Sequence, residues 1–159
     1  EADYRDRSNE KWLRQLFIAA ESASALVIAF HADIFNFDHE KPACTIENRT
    51  NCDGYRKLRD LIKSQVAQFG KPVLLIHGDS QAYCLHRPYI SIPNLWRLNA
   101  PGDYKYSDAS QVVFDPGNKN TPFTALGVLD RKPAPAICSY SIFGSFRYSP
   151  SLFPRAQLS

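Results

Sequence analysis

Methionine is absent from all 159 residues, and the chain opens on Glu1. Either processing has removed a leader or this is a piece of a larger polypeptide, and both would hide a signal peptide. Long apolar runs are lacking as well. The longest, Ala23 to Phe30, is broken by Ser24 and falls well short of the ~20 residues a membrane helix needs, so no membrane span is expected. The seven glycines are dispersed, which leaves no Gly-rich phosphate cradle. No Gly-x-Ser-x-Gly occurs, and that argues against a serine nucleophile on a strand-to-helix elbow. No Cys-x-x-Cys occurs and no His sits at finger spacing, which weakens a structural zinc reading. Charge of one sign is scarce too. The net charge is +3 and the isoelectric point about 8.7. The local basic clusters are Arg56-Lys57-Arg59 and Arg131-Lys132. That is no field for nucleic acid, and the first cluster reads as the solvated face of a helix.

What is present suits one globular domain. At this length a chain buries roughly two-thirds of its unfolded surface. Hydrophobic residues make up 44% and charged residues 22%, near ordinary values that oppose disorder. Four cysteines, Cys44, Cys52, Cys84 and Cys138, allow three complete pairings. Cys44 and Cys52 flank a short polar segment that a disulfide could close, and Cys84 and Cys138 would then pair or stay free. Asn48-Arg49-Thr50 is a glycosylation sequon inside that segment. Paired cysteines and a sequon point to a secreted, luminal or periplasmic glycoprotein.

Periodicity predicts a mixed α/β order. Trp12, Leu13, Leu16, Phe17 and Ala20 mark a helix from about Ser8 to about Ser22, after a loose polar entry. Ala25–Phe30 reads as a strand buried on both faces. A long polar loop over 34–53 follows. Asp53-Gly54 then opens a second helix with the stripe Tyr55, Leu58, Leu61, Ile62, Val66 and Phe69, and with Arg56, Lys57, Arg59 and Lys63 toward water. Gly70 and Pro72 end it, and Val73–Ile76 reads as a second buried strand. Together these form a parallel βαβ unit. Leu95–Leu98 and Gln111–Phe114 are further strands, with Tyr83–Leu85 and Phe123–Val128 weaker ones. Residues 1–129 would form the domain and 130–159 an extended tail rich in proline and aromatics.

The two buried strands end in His31-Ala-Asp33 and His77-Gly-Asp79. Parallel strands would bring His31, Asp33, His77, Asp79 and Gln81 to one crevice, where α/β proteins place their sites. Imidazole and carboxylate suit a Zn, Mn or Fe centre. The plainer alternative is that Asp79 and Ser80 cap a turn and the histidines are satisfied by hydrogen bonds. His39 and His86 read as surface residues.

Lys71–Tyr83 with its His-Gly-Asp-Ser-Gln, then Arg87-Pro88, Pro93–Leu98 and Val113–Pro116, resembles the C-terminal half of a bacterial-type branch of the calcineurin-like metallophosphoesterases. Trp12-Leu13, Phe17 and Val27–Asp33 fit the same order, so the resemblance covers about residues 8–125. It implies part of a β-sandwich of mixed sheets flanked by helices. It also implies two metals whose bridging water attacks phosphorus. His31 would be a metal-ligand histidine, and His77, Asp79 and Gln81 would stand at or beside the last metal-binding motif. That motif usually reads Gly-His-x-His. Asp79 replaces its first histidine and Gln81 its second, and a neutral amide is a poor ligand for a transition metal. The family's earlier motifs, which supply most ligands and the general acid, do not occur in these residues. The resemblance therefore implies a half-fold that needs an upstream half of the same protein or another subunit. Two readings follow: a phosphoesterase completed by that half, or a secreted pseudo-enzyme used for binding.

Overall fold

The computed structural model describes residues 2–35, 41–78, 83–100 and 108–138. Helix α1 spans Ala2–Ala19 and helix α2 spans Arg56–Phe69. The strands are β1 Leu26–Ala29, β2 Val73–His77, β3 Cys84–His86, β4 Leu95–Asn99, β5 Ser110–Phe114 and β6 Phe123–Gly127. Four of them form a mixed sheet in the order β1-β2-β4-β3, while β5 and β6 pair as a separate antiparallel hairpin. β1, β2 and β4 are parallel, and β3 runs antiparallel to β4. The expected parallel βαβ unit is therefore present, with α2 as its crossover.

Alternation along β2 and β4 sorts the core into two layers. Val73, Leu75 and Leu95 face the helices, where Leu13 and Phe17 of α1 and Ile62 and Val66 of α2 cover them. Leu74, Trp96 and Leu98 face the other way, against Phe123 and Ala125 of the hairpin. β2 and β4 are thus central strands with apolar side chains on both faces.

β1 differs from its expectation. Leu26 and Ile28 are buried, but Val27 is 51% exposed. The strand lies at the sheet edge, and the hairpin packs on β2 and β4 instead. Leu26 N donates to Pro72 O and Phe30 N to Ile76 O. The ladder alternates, so the amides of Val27 and Ala29 point to the outer edge.

Helix α1 also starts earlier than expected. Residues 2–8 are helical, and Ser8 and Asn9 lie inside the helix rather than capping it. The first turns are mostly charged and polar, with Asp3, Arg5, Asp6, Arg7 and Ser8, and the apolar pattern used to locate the helix begins only at Trp12. At α2 the punctuation works as read. Asp53 Oδ1 accepts from Tyr55 N at 2.9 Å, and Gly70 adopts φ 67° at the C-cap, its N–H donating to Val66 O. Asn94 Nδ2 donates to Val66 O and Lys71 O at 2.9 and 3.0 Å, tying the helix end to the start of β4.

Residues 130–138 are fastened to the body. Gly127 N donates to Lys132 O, Ala134 N to Ala125 O, and Leu85 N to Pro135 O. This strap therefore runs from β6 to the outer edge of β3. It ends at Cys138, which is disulfide-bonded to Cys84. Residues 139–159, the rest of the expected tail, lie outside the described residues.

Candidate functional site

Because β1 and β2 are parallel, their carboxyl ends emerge together. Gly78 N donates to His31 O at 3.2 Å across that edge. His31 is exposed there, and the chain after Gly78 leads into Asp79 and Gln81, which lie outside the described residues. His39 lies outside them too.

Directly behind this edge sits a buried polar cluster. Register places Arg97 of β4 opposite His86 of β3, and Asn99 opposite His77 of β2. Arg97, His77 and His86 therefore share the helix-side face. Arg97 Nη2 lies 3.0 Å from each oxygen of Asp33, and Arg97 Nε donates to His77 Nε2 at 2.7 Å. That bond makes Nε2 an acceptor, so the ring proton is on Nδ1, which donates to Gly78 O at 3.0 Å. Asp33 Oδ1 also accepts from Phe35 N at 2.9 Å. The Phe35 ring lies 4.5 Å from the guanidinium, and Phe30 stacks on His77 at 5.8 Å. Asp33, His77 and Arg97 are 4%, 1% and 2% exposed, so the cluster is sealed from water.

A second buried arginine closes the same turn. Arg59 of α2 pairs with Asp53 and donates from Nη1 to Ile34 O at 2.7 Å. Its expected place on the solvated face is corrected: a carboxylate and a carbonyl beneath α2 recruit it inward. Residues 33–35 are thus gripped by Arg97 at the side chain of Asp33 and by Arg59 at the backbone of Ile34. His31 stands two residues before that rigid turn.

His86 is corrected too, since it lies half-buried on a strand beside Arg97. Arg97 Nη1 is 3.4 Å from His86 Nε2 and 3.6 Å from Cys138 Sγ. Burial first, then the charge of Arg97 and the neighbouring His77, holds the His86 imidazole below its ordinary value. Cys84, His86 and Cys138 place their ligand atoms within 4.8 Å of one another.

The cysteines pair as Cys44–Cys52 and Cys84–Cys138, with Cα separations of 4.9 and 5.1 Å. Such bonds persist in oxidising, extracytoplasmic compartments. No helix among the described residues is long and apolar enough to cross a membrane. Asn48 lies within the smaller loop, where its Nδ2 donates to Asn51 O at 2.9 Å.

No protein family, curated protein or solved structure matches the chain. What the arrangement can do must be judged from its own atoms. Both nitrogens of His77 and both oxygens of Asp33 are engaged by protein partners and shielded from solvent. This arrangement holds the edge in shape. His31 alone among the described histidines stands exposed at the strand ends. One imidazole does not make a two-metal centre, so the described residues do not by themselves fit such a group, and no reaction step is derived through it.

Sequence reasoning missed Arg97 and the Asp53–Arg59 pair. The signal for Arg97 was an arginine inside the apolar run Leu95-Trp-Arg-Leu98. A lone charge at a central-strand position needs a buried partner.

Proposed function

We propose that the chain is the C-terminal part of a secreted, luminal or periplasmic metallophosphoesterase-like protein, within a β-sandwich flanked by helices. In this reading His31 is one ligand of a Mn, Fe or Zn site at the carboxyl ends of β1 and β2, with Asp79 and Gln81 beside it. An upstream half, or another subunit, supplies the remaining ligands and the general acid. The observation that carries the reading is the hydrogen bond from Gly78 N to His31 O. It draws the two histidine-bearing strand ends together at the kind of edge where parallel sheets bind ligands. Among the described residues no strand pairs with the outer side of β1, which agrees with a neighbour strand supplied by an upstream half. The role of this chain would be to position His31 on a turn held by two buried arginines.

A second reading has its own support. His77 is bonded through both ring nitrogens, and Gln81 is a poor metal ligand. A catalytically inactive binding protein on the same framework would look like this. The two readings part on metal content and activity. Native purified material should contain about two metals per molecule and hydrolyse bis(p-nitrophenyl) phosphate, with both lost in His31→Ala. Material without metal, or a His31→Ala variant with unchanged metal content and activity, rejects the phosphoesterase reading.

A further inference from the structure

The two layers of strands are joined on one side and open on the other. Leu85 N of β3 donates to Pro135 O of the strap. The strap is bonded in turn to β6, through Ala134 N to Ala125 O and Gly127 N to Lys132 O. The order around the closed side is therefore β3, strap, β6, β5. β1 in one layer and β5 in the other stand farthest from that closure.

Burial falls off toward those two strands. Phe123 and Ala125 of β6 are 2% and 3% exposed, whereas Val112 and Phe114 of β5, packed against the same core, are only partly buried. In the facing layer Leu74 of β2 is fully buried. Register sets Val27 of β1 beside it on the same face, yet Val27 is half exposed. The core between the layers is unfinished on this side.

The backbone points the same way. Val128 N donates to Ala109 O, and Asp115 N to Pro122 O. Bonded and non-bonded pairs alternate in an antiparallel ladder, so Gln111 and Val113 bond to β6. The amides and carbonyls of Ser110, Val112 and Phe114 face the outer edge. Among the described residues no strand pairs with that edge.

We propose that the upstream half docks on this open side by adding a strand to β5, with its inward side chains set between Val112 and Phe114 above and Val27 below. This rests on the reading of the chain as a C-terminal part and deepens it: a neighbour for β1 completes one layer, and this strand completes the other. The hydrogen-bonding groups along the edge select a strand, because a helix would cover the apolar side chains and leave those groups unpaired. The strand should match the five residues of β5 in length and carry apolar residues at every second position. Its packing continues the contact already made between the hairpin and the sheet.

The test uses the native purified protein. Residue-resolved hydrogen exchange should show the amides of Val112 and Phe114 within about tenfold of the Val113 amide, which lies inside the hairpin ladder. A photoreactive benzoylphenylalanine at position 27, where the exposed valine tolerates replacement, should cross-link to an alternating apolar segment that precedes Glu1 in the same polypeptide. Free exchange at Val112 and Phe114 overturns the proposal. So does a cross-link to a second copy of residues 1–159, to residues 139–159 of the same chain or to a separate polypeptide, or no cross-link at all. Neither readout needs metal or activity. Protected amides and the expected cross-link in metal-free material would reject the phosphoesterase chemistry and keep this interface, while active, metal-loaded material with freely exchanging Val112 would do the reverse.

Discussion

Replacing Arg97 by methionine should be among the most damaging single changes in the protein. The side chain is 3% exposed; its Nη2 is shared between both oxygens of Asp33 at 3.0 Å, and its Nε donates to His77 at 2.7 Å. Methionine fills much of the volume but leaves the Asp33 carboxylate buried, with the amide of Phe35 as its remaining close donor. Breaking a buried pair from one side costs about 3–5 kcal/mol, mostly as the penalty of the stranded charge. With a urea slope of about 2 kcal/mol/M, the unfolding midpoint should fall by about 2 M. Trp96 is the next residue on β4 and is buried, so its fluorescence reports the transition directly. The control is Asp33→Asn added to Arg97→Met, which removes the stranded charge and leaves only a neutral polar group. The double variant should recover about 2 kcal/mol relative to the single one. An unchanged midpoint for Arg97→Met, or a double variant no more stable than the single, would refute the claim that this network holds the strand ends.

Three further outcomes are expected. His86 is held below 6.5 by burial and by Arg97 and His77, so the unfolded chain takes up its proton first as pH falls. Oxidised protein should lose stability from pH 6.5 downward until the folded-state value is passed, and thermal melts at pH 7.5 and 5 should show a smaller loss for His86→Gln. Gly70→Ala meets no neighbouring atom within 4 Å, yet φ 67° is strained for any side chain, so guanidinium denaturation should show a cost of about 1 kcal/mol. Loop entropy ranks the disulfides: removing Cys84–Cys138, with a sequence separation of 54, should cost about 4 kcal/mol, against about 2.5 kcal/mol for Cys44–Cys52, with a separation of 8. Paired serine variants compared by urea midpoint check the order.

Much of the framework was legible because its signals are local. The α2 stripe, Gly70 at its end and the apolar run Val73–Ile76 each announce an element without knowledge of the rest. The crossover then follows from connection rules alone. What escaped depends on register. Nothing near Arg59 in sequence says that Ile34 O will lie beneath it, 25 residues away. Nothing near Arg97 says that Asp33 will meet it across 64 residues. Helical periodicity assigned Arg59 to water because it counts apolar neighbours and not buried acceptors. The exposed face of β1 escaped for a related reason, since an apolar run cannot tell a central strand from an edge strand with one uncovered face. At the site, the meeting of the two histidine-bearing strand ends was readable from parallel pairing. The engagement of His77 by Arg97 was not.

The strap from β6 to β3 has a consequence for how the molecule would come apart. The turn after β5 is exposed from Asp115 to Thr121 and carries Lys119, an open target for trypsin. A cut there divides the polypeptide, yet Cys84 falls on one fragment and Cys138 on the other. The nicked species would keep its β5–β6 pairing and its covalent link. It would migrate as one band until reduced, and only then release its C-terminal piece.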